Sequence, residues 1–235
     1  MNKPIAKLIG ITTPVGLDFN EPKQLLAYCA RISSTANQHK HETGPRLLAY
    51  LVRNAEWSPF EMGSMTMEIN TTRDIARQLL RHRSYSFQEF SQRYAEVVAP
   101  FVIRETRLQD HKDRQNSIEL DLTNPAHSDL DRWWRARQQE IASLVDEVYR
   151  EALQRGIAKE QARAVLPEGM TPSSVYVAGT IRSWIHYIAL RQSRKTQKEH
   201  RLIALAARKI LLEHYPDVMG ALPELEIDEE TGTVK

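Results

Sequence analysis

Ser64-Met65-Thr66-Met67-Glu68-Ile69-Asn70 alternates strictly, with Met65, Met67 and Ile69 on one side and Ser64, Thr66 and Glu68 on the other. A period of two marks a strand with one face on a core and one face wet. Thr72 follows where an N-cap belongs and predicts a helix from Arg73 to about His82. Upstream, Ser58-Pro59 punctuates a turn, because the residue before proline is pushed out of helical geometry. Pro45 suits the first turn of a helix running to about Ala55. Ser33 to Gly44 is polar and loop-like. Glu21 to Ile32 reads as a helix with Leu25, Leu26, Cys29 and Ile32 on one side, and Ile5 to Thr13 as a short strand.

Downstream, a polar, aromatic loop leads into an expected strand from Ser91 to Val98. Asn116 to Ser128, with Pro125 inside it, is the most loop-like stretch. Asp129 to Gln154 predicts an amphipathic helix about 40 Å long. A short helix runs to Leu166 and stops at Pro167. Val175 to Ala178 reads as a strand, and Thr180–Gln192 and Gln197–His214 as helices. Strands and helices do not strictly alternate. The expectation is therefore an α+β fold: one domain over 1–235, a central, largely antiparallel sheet flanked by helices, and an acidic tail from about residue 221.

The chain has 235 residues, 41% hydrophobic and 26% charged. This excludes a disordered, collagen-like or disulfide-scaffold protein. No stretch approaches the roughly 20 apolar residues of a membrane span, and the apolar run near the N-terminus is too short for a secretory signal. The single cysteine, Cys29, forms no internal disulfide, so a cytoplasmic location is expected. A net charge of +2 does not mark a nucleic-acid binder. The charge is nevertheless clustered: Thr71 to Tyr94 holds five Arg against Asp74 and Glu89, and Arg182 to Lys209 holds eight Lys or Arg against Glu199. Two basic segments in a nearly neutral chain suggest local anionic ligands.

The densest constellation is Arg81-His82-Arg83-Ser84-Tyr85-Ser86-Phe87-Gln88-Glu89-Phe90-Ser91-Gln92-Arg93-Tyr94. Arginine forks suit phosphates and carbonyl edges. Glu89 can orient an arginine or receive a ligand N–H, and Tyr85, Phe87 and Phe90 can wall a planar ring. Gln78 and His82, four apart, are expected to share a helix face near Arg81. The plain alternative is a solvated basic helix end followed by a polar turn.

The spacing Arg81-His82-Arg83, seven residues, Ser91, with Ser86, Glu89 and Arg93 at fixed offsets, resembles the signature of the flavin-dependent thymidylate synthases, the thymidylate synthase-complementing protein family. Ala30-Arg31-Ile32-Ser33, Trp57-Ser58-Pro59-Phe60-Glu61, Ala162 to Pro167 and Arg182 to Arg191 resemble four further motifs of that family, in order. This chain has Gln88 and His186 where the family often has Asn, and Glu56 and Met62 in place of two His.

The resemblance implies methylation of dUMP to dTMP, with carbon from methylenetetrahydrofolate and hydride from FAD reduced by NADPH. It puts FAD against Ser33, Ser58, Glu61, Arg81, His82, Arg83, Glu89, Arg182, His186 and Leu190. It puts dUMP against Gln78, Arg81, Glu89, Ser91, Arg93, Arg163 and Arg191, with Arg191 on the uracil ring as the catalytic residue. It also implies a homotetramer with sites at subunit junctions, acting on a small molecule rather than on nucleic acid or membrane. The chain has no Gly-x-Gly-x-x-Gly run, so NADPH is expected to reach the flavin face directly.

Other candidates read more plainly. Cys29 lies on the apolar side of its helix and is expected to be a buried structural thiol rather than a nucleophile. Ser91 lacks a paired base and is expected to hydrogen-bond. His39 and His41 find no third ligand at metal spacing and read as a solvated loop. Trp133 and Trp134 are expected in packing or subunit contact. About two thirds of the charges from Arg182 to Lys209 are expected on a solvated helix face. The competing functions are a flavoprotein with another substrate and a nucleic-acid-binding protein whose basic, aromatic loop stacks bases.

Overall fold

The computed structural model describes residues 5–222 and Asp228. Apart from Asp228, the acidic tail beyond Leu222 lies outside the described residues. Six strands and seven helices follow in the order β1 (Ala6–Ile11), α1 (Pro22–Ala30), α2 (Gly44–Arg53), β2 (Ser64–Thr72), α3 (Arg73–Leu79), β3 (Ser86–Glu89), β4 (Arg107–Gln109), β5 (Ser117–Glu119), α4 (Pro125–Gln154), α5 (Lys159–Ala162), β6 (Pro172–Thr180), α6 (Ile181–Arg191) and α7 (Lys198–His214). The main sheet has the order β1-β2-β6-β3, and β4 and β5 form a separate antiparallel pair. β1 runs antiparallel to β2, with Leu8 opposite Met67 and a register shift between Leu8 and Gly10. The α+β reading therefore holds. None of the helices described is long and apolar enough to cross a membrane.

By its contacts the chain forms two compact units: residues 1–69, 80–88 and 176–235, and residues 70–79 and 89–175. In the first, Met65, Met67 and Ile69 are fully buried, as their alternation requires, together with Leu26, Leu48, Phe60, Ile181, Trp184, Ile188 and Tyr215. α6 packs on α7, and α7 on β1. In the second, Tyr149, Ala162 and Leu166 form a core covered by Val97, Phe101, Val145 and Leu153.

Helix starts follow from their caps. Glu21 and Gln24 form a capping box on α1, with Pro22 in its first turn. Asn124 accepts from the Ala126 N–H at 3.0 Å and starts α4 with Pro125 at its first position. Thr180 accepts from the Ser183 N–H at 3.2 Å and starts α6.

Several expectations are corrected. Ser91 to Val98 is no strand. The Ser91 carbonyl accepts from the N–H groups of both Tyr94 and Ala95, at 3.2 and 3.1 Å, which turns the chain, and the strand lies earlier, at Ser86–Glu89. α3 ends at Leu79 instead of His82, so Gln78 and His82 do not share a helix face. Thr72 does not cap it. The Arg73 and Asp74 N–H groups donate instead to the carbonyls of Thr171 and Glu168, at 3.0 and 3.3 Å. Within Asn116–Ser128, Ser117–Glu119 is paired as β5 and α4 begins at Pro125. α1 ends at Ala30, leaving Ile32 outside the helix and exposed. Cys29 is half-buried rather than buried. Of the basic residues in the last two helices, Arg201 and Arg208 are buried, donating to the Arg194 carbonyl at 3.1 Å and to Gln192 at 3.0 Å.

Two helix ends use the same device with different residues. After α4, Gly156 and Ile157 donate to the Leu153 and Ala152 carbonyls at 3.0 and 2.9 Å, with Gly156 at φ 83°. After α2, Ala55 and Glu56 donate to the Val52 and Leu51 carbonyls at 3.1 and 2.8 Å, with Ala55 at φ 56°. Both are Schellman ends, whose left-handed residue is usually glycine. At Ala55 the Cβ makes this conformation costly. Ala55→Gly is therefore expected to raise stability by about 0.5–1 kcal/mol, and Gly156→Ala to lower it by about 1 kcal/mol. Urea denaturation of the two variants checks both signs.

Candidate active site

α6 presents two sides. Ile181, Trp184, Ile185 and Ile188 are buried, while Arg182, His186 and Leu190 are exposed at successive spacings of four, one above another. Arg182 donates to Glu61 Oε1 at 2.6 Å, bringing the 3-10 turn Ser58–Glu61 to this face. That hydrogen bond holds the Glu61 carboxyl below its ordinary value. The His186 ring lies edge-on against Trp57, 4.6 Å between centroids. Its pKa is lowered by burial and then by Arg182.

At the end of α6, Arg191 Nε donates to His82 Nε2 at 3.0 Å. This bond needs a lone pair on Nε2 and hence a neutral imidazole. Burial first, and the Arg191 charge second, push His82 down to about 4. His82 also stands edge-on to Tyr187 at 5.0 Å, with the buried His200 6.2 Å away. Burial, then Arg191 and His82, lower His200 to about 3. The Arg191 fork has no other hydrogen-bond or ion-pair partner among the described residues. Arg81 and Arg83, on either side of His82, are exposed and likewise without an ion pair among the described residues. At Gly179 a Cβ would run into the Tyr85 ring.

In the second unit, Glu89 Oε1 accepts from Ser173 Oγ at 2.9 Å and from Arg73 Nη1 at 3.4 Å. The Phe90 N–H donates to the Ser174 carbonyl at 2.9 Å and fixes the chain just after Glu89. Arg93 pairs with Glu160 at 3.1 Å. Arg163 is half-buried at the end of α5, with no side-chain partner among the described residues. Gln78 and Ser91 are half-buried nearby in the sequence, and Ser33 is exposed in the loop after α1.

Of the expected flavin residues, Glu61 and Arg182 are in direct contact, and His82 touches Arg191, expected against dUMP. Ser58, His186 and Leu190 share their elements. No hydrogen bond or ion pair joins Ser33 to them. Arg73, Ser173, Trp57 and Glu160 were not foreseen as partners of Glu89, His186 and Arg93. Trp57 opens the Trp57–Glu61 motif, so its place beside the site had a local signal. Ser173 lies in a strand with no local signal.

The profile of the family described as thymidylate synthase complementing protein matches residues 17–217. The chain belongs to that family. The match runs uninterrupted through both compact units. Among its relatives, a probable flavin-dependent thymidylate synthase of Paramecium bursaria Chlorella virus 1 is 46% identical, over 92% of this chain and 98% of the relative. A flavin-dependent thymidylate synthase of Synechocystis sp. is 47% identical, over 86% and 89%. The crystal structure of a UMP/dUMP methylase, PolB, from Streptomyces cacaoi bound with 5-Br dUMP matches with a TM-score of 0.75 and 25% identity, over 92% of this chain and 93% of that one.

His82 and His200 make the fold acid-sensitive in a defined direction. Unfolded, His82 and His200 bind protons near the ordinary value of 6.5; folded, only near about 4 and about 3. The stability gained by keeping them neutral is complete above that ordinary value and is lost as pH falls toward the folded values. By NMR, His82 is expected to titrate near about 4. Arg191→Ala is expected to raise that midpoint, because it removes a like charge. An unchanged midpoint would separate the two side chains in solution.

Proposed function

We propose that this chain converts dUMP to dTMP, taking carbon from methylenetetrahydrofolate and releasing tetrahydrofolate. The observation that carries the proposal is the Arg191 fork, held by Nε on a neutral His82 with its Nη groups left to a ligand. Donors fixed in this way can bind a uracil carbonyl and favour negative charge on the ring as its carbon 5 becomes nucleophilic. Family membership supplies the substrate class, through relatives named for thymidylate synthesis and a similar structure that holds 5-Br dUMP.

The donor set also suits FAD. Arg81 and Arg83 are exposed cations fit for a pyrophosphate, and the Trp57–His186 edge with Leu190 offers apolar surface for a flat ring. Bound FAD, reduced by NADPH, supplies the hydride. We assign Ser33, Ser58, Glu61, Arg81, His82, Arg83, Glu89, Arg182, His186 and Leu190 to FAD, and Gln78, Arg81, Glu89, Ser91, Arg93, Arg163 and Arg191 to dUMP. Ser173 and Arg73 fix the Glu89 carboxylate in an acceptor position. Cys29 takes no part in bond making: burial raises its pKa and disfavours the thiolate.

α4 supports a homotetramer. Leu130, Trp134, Ile141, Leu144 and Val148 follow spacings of three, four and seven and are all exposed, forming an apolar stripe suited to another copy of the chain. We read the whole chain as one domain and, from its single free thiol, place it in the cytoplasm.

Purified or FAD-soaked protein is expected to absorb near about 450 nm, as the flavin does, and to form dTMP from dUMP. Arg191→Ala is expected to keep FAD and NADPH oxidation but lose dTMP formation about a hundredfold or more. Arg191→Lys is expected to be nearly as poor, keeping the charge without the fork. Loss of flavin with normal turnover of the remainder would move Arg191 to the cofactor site. Failure to bind FAD would end the proposal.

A further inference from the structure

We propose that Asp18, His39 and His41 form a site for a divalent transition metal of the zinc class. Spacing along the chain offers only His39 and His41. The fold adds the third ligand from before α1. Asp18 Oδ1 lies 3.5 Å from His39 Nδ1 and 3.8 Å from His41 Nε2. One ligand atom from each residue lies within 4.8 Å of the other two. Around a tetrahedral ion with bonds of about 2.1 Å, neighbouring ligand atoms stand about 3.4 Å apart. The three therefore close on a metal with small side-chain rotations.

Burial points the same way. His41 Nε2 is shut off from water and has no hydrogen-bond partner. An imidazole nitrogen sealed in that condition is costly, and a metal bond would satisfy its lone pair. Asp18 and the rest of His39 are exposed, which leaves an entry path and an open position for water or a further ligand. The imidazoles are also held in direction. Phe19 lies 4.6 Å from the His41 ring, Tyr28 lies 5.5 Å from the His39 ring, and Phe19 and Tyr28 pack together at 5.6 Å. The two histidine rings stand at 85° to each other. Ligands held by packing in this way are preorganised.

The donor set decides the class of metal. Two imidazoles and one carboxylate suit Zn2+, Co2+ or Ni2+, whereas Ca2+ and Mg2+ take oxygen cages. A bound ion would clasp the segment before α1 to the loop that enters α2. That loop also carries Ser33, but the site does not depend on the assignment of Ser33 or on the proposed reaction.

The test uses tag-free, FAD-loaded protein, stripped with a chelator, desalted and titrated with Zn2+ by calorimetry near neutral pH. One Zn2+ per chain is expected. Replacing Co2+ for Zn2+ should give the visible absorption of a tetrahedral site. His41→Ala and Asp18→Asn are each expected to weaken binding by at least about tenfold and to abolish the Co2+ band, with flavin content unchanged. Asp18→Asn alters only an exposed side chain, so it keeps the test valid should His41→Ala fail to fold. His111→Ala, outside the cluster, is expected to bind as the parent does. No saturable uptake of Zn2+ by the parent would overturn the site. Uptake that survives Asp18→Asn and His41→Ala unchanged would overturn it equally.

Discussion

Trp184 Nε1 donates to the Met65 carbonyl at 3.2 Å, deep in the first unit, and the Ile181 N–H donates to the Gly63 carbonyl at 2.9 Å. Together they fasten the first turns of α6 to the start of β2. The Trp184 side chain is fully buried, so an unmade bond there would leave a costly orphan donor. With one side of α6 committed to Ile181, Trp184, Ile185 and Ile188, the rotation of the helix is settled. Arg182, His186 and Leu190 must then point outward, and Arg191 must leave the helix beside His82.

The electrostatics follow from that placement. A cation beside an imidazole in a partly dry setting keeps the imidazole neutral, and the neutral ring can in turn accept the Arg191 hydrogen bond. The pairing is reciprocal: Arg191 lowers the His82 pKa, and His82 directs Arg191. His200 and Tyr187 extend the same buried aromatic wall. At the start of α6, Arg182 is paired with Glu61, while Arg81 and Arg83 are exposed with no ion pair among the described residues. On α6 itself, the settled rotation decides that Arg182 meets a carboxylate and Arg191 a ring.

Much of this was legible along the chain. The alternation in Ser64–Asn70 declared its buried face, and β2 buries those same three residues. The helices ending at Arg191 and His214 were visible from periodicity and caps, and the ordered motifs pointed to the family. The errors arose where backbone hydrogen bonds, distant at α3 and local at Ser91, decided the structure. The Thr171 and Glu168 carbonyls cap α3 from far along the sequence, which freed Thr72 to remain in β2. The Ser91 carbonyl draws two N–H groups and turns a segment whose composition suited a strand. His82 and Arg191 were both expected in the site, but their bond spans 109 positions and carries no local signal. Asp18 stayed hidden for a like reason, since spacing along the chain cannot bring it to His39 and His41 from beyond a helix.

His82 holds the Arg191 guanidinium in place through Nε2. A double-mutant cycle on dUMP affinity in the FAD-loaded protein tests it most directly, using Arg191→Ala, His82→Gln and the double variant. If His82 directs the guanidinium, the two losses overlap, with a coupling of about 1 kcal/mol or more, and His82→Gln costs little once Arg191 is gone. Fully additive losses would contradict the account.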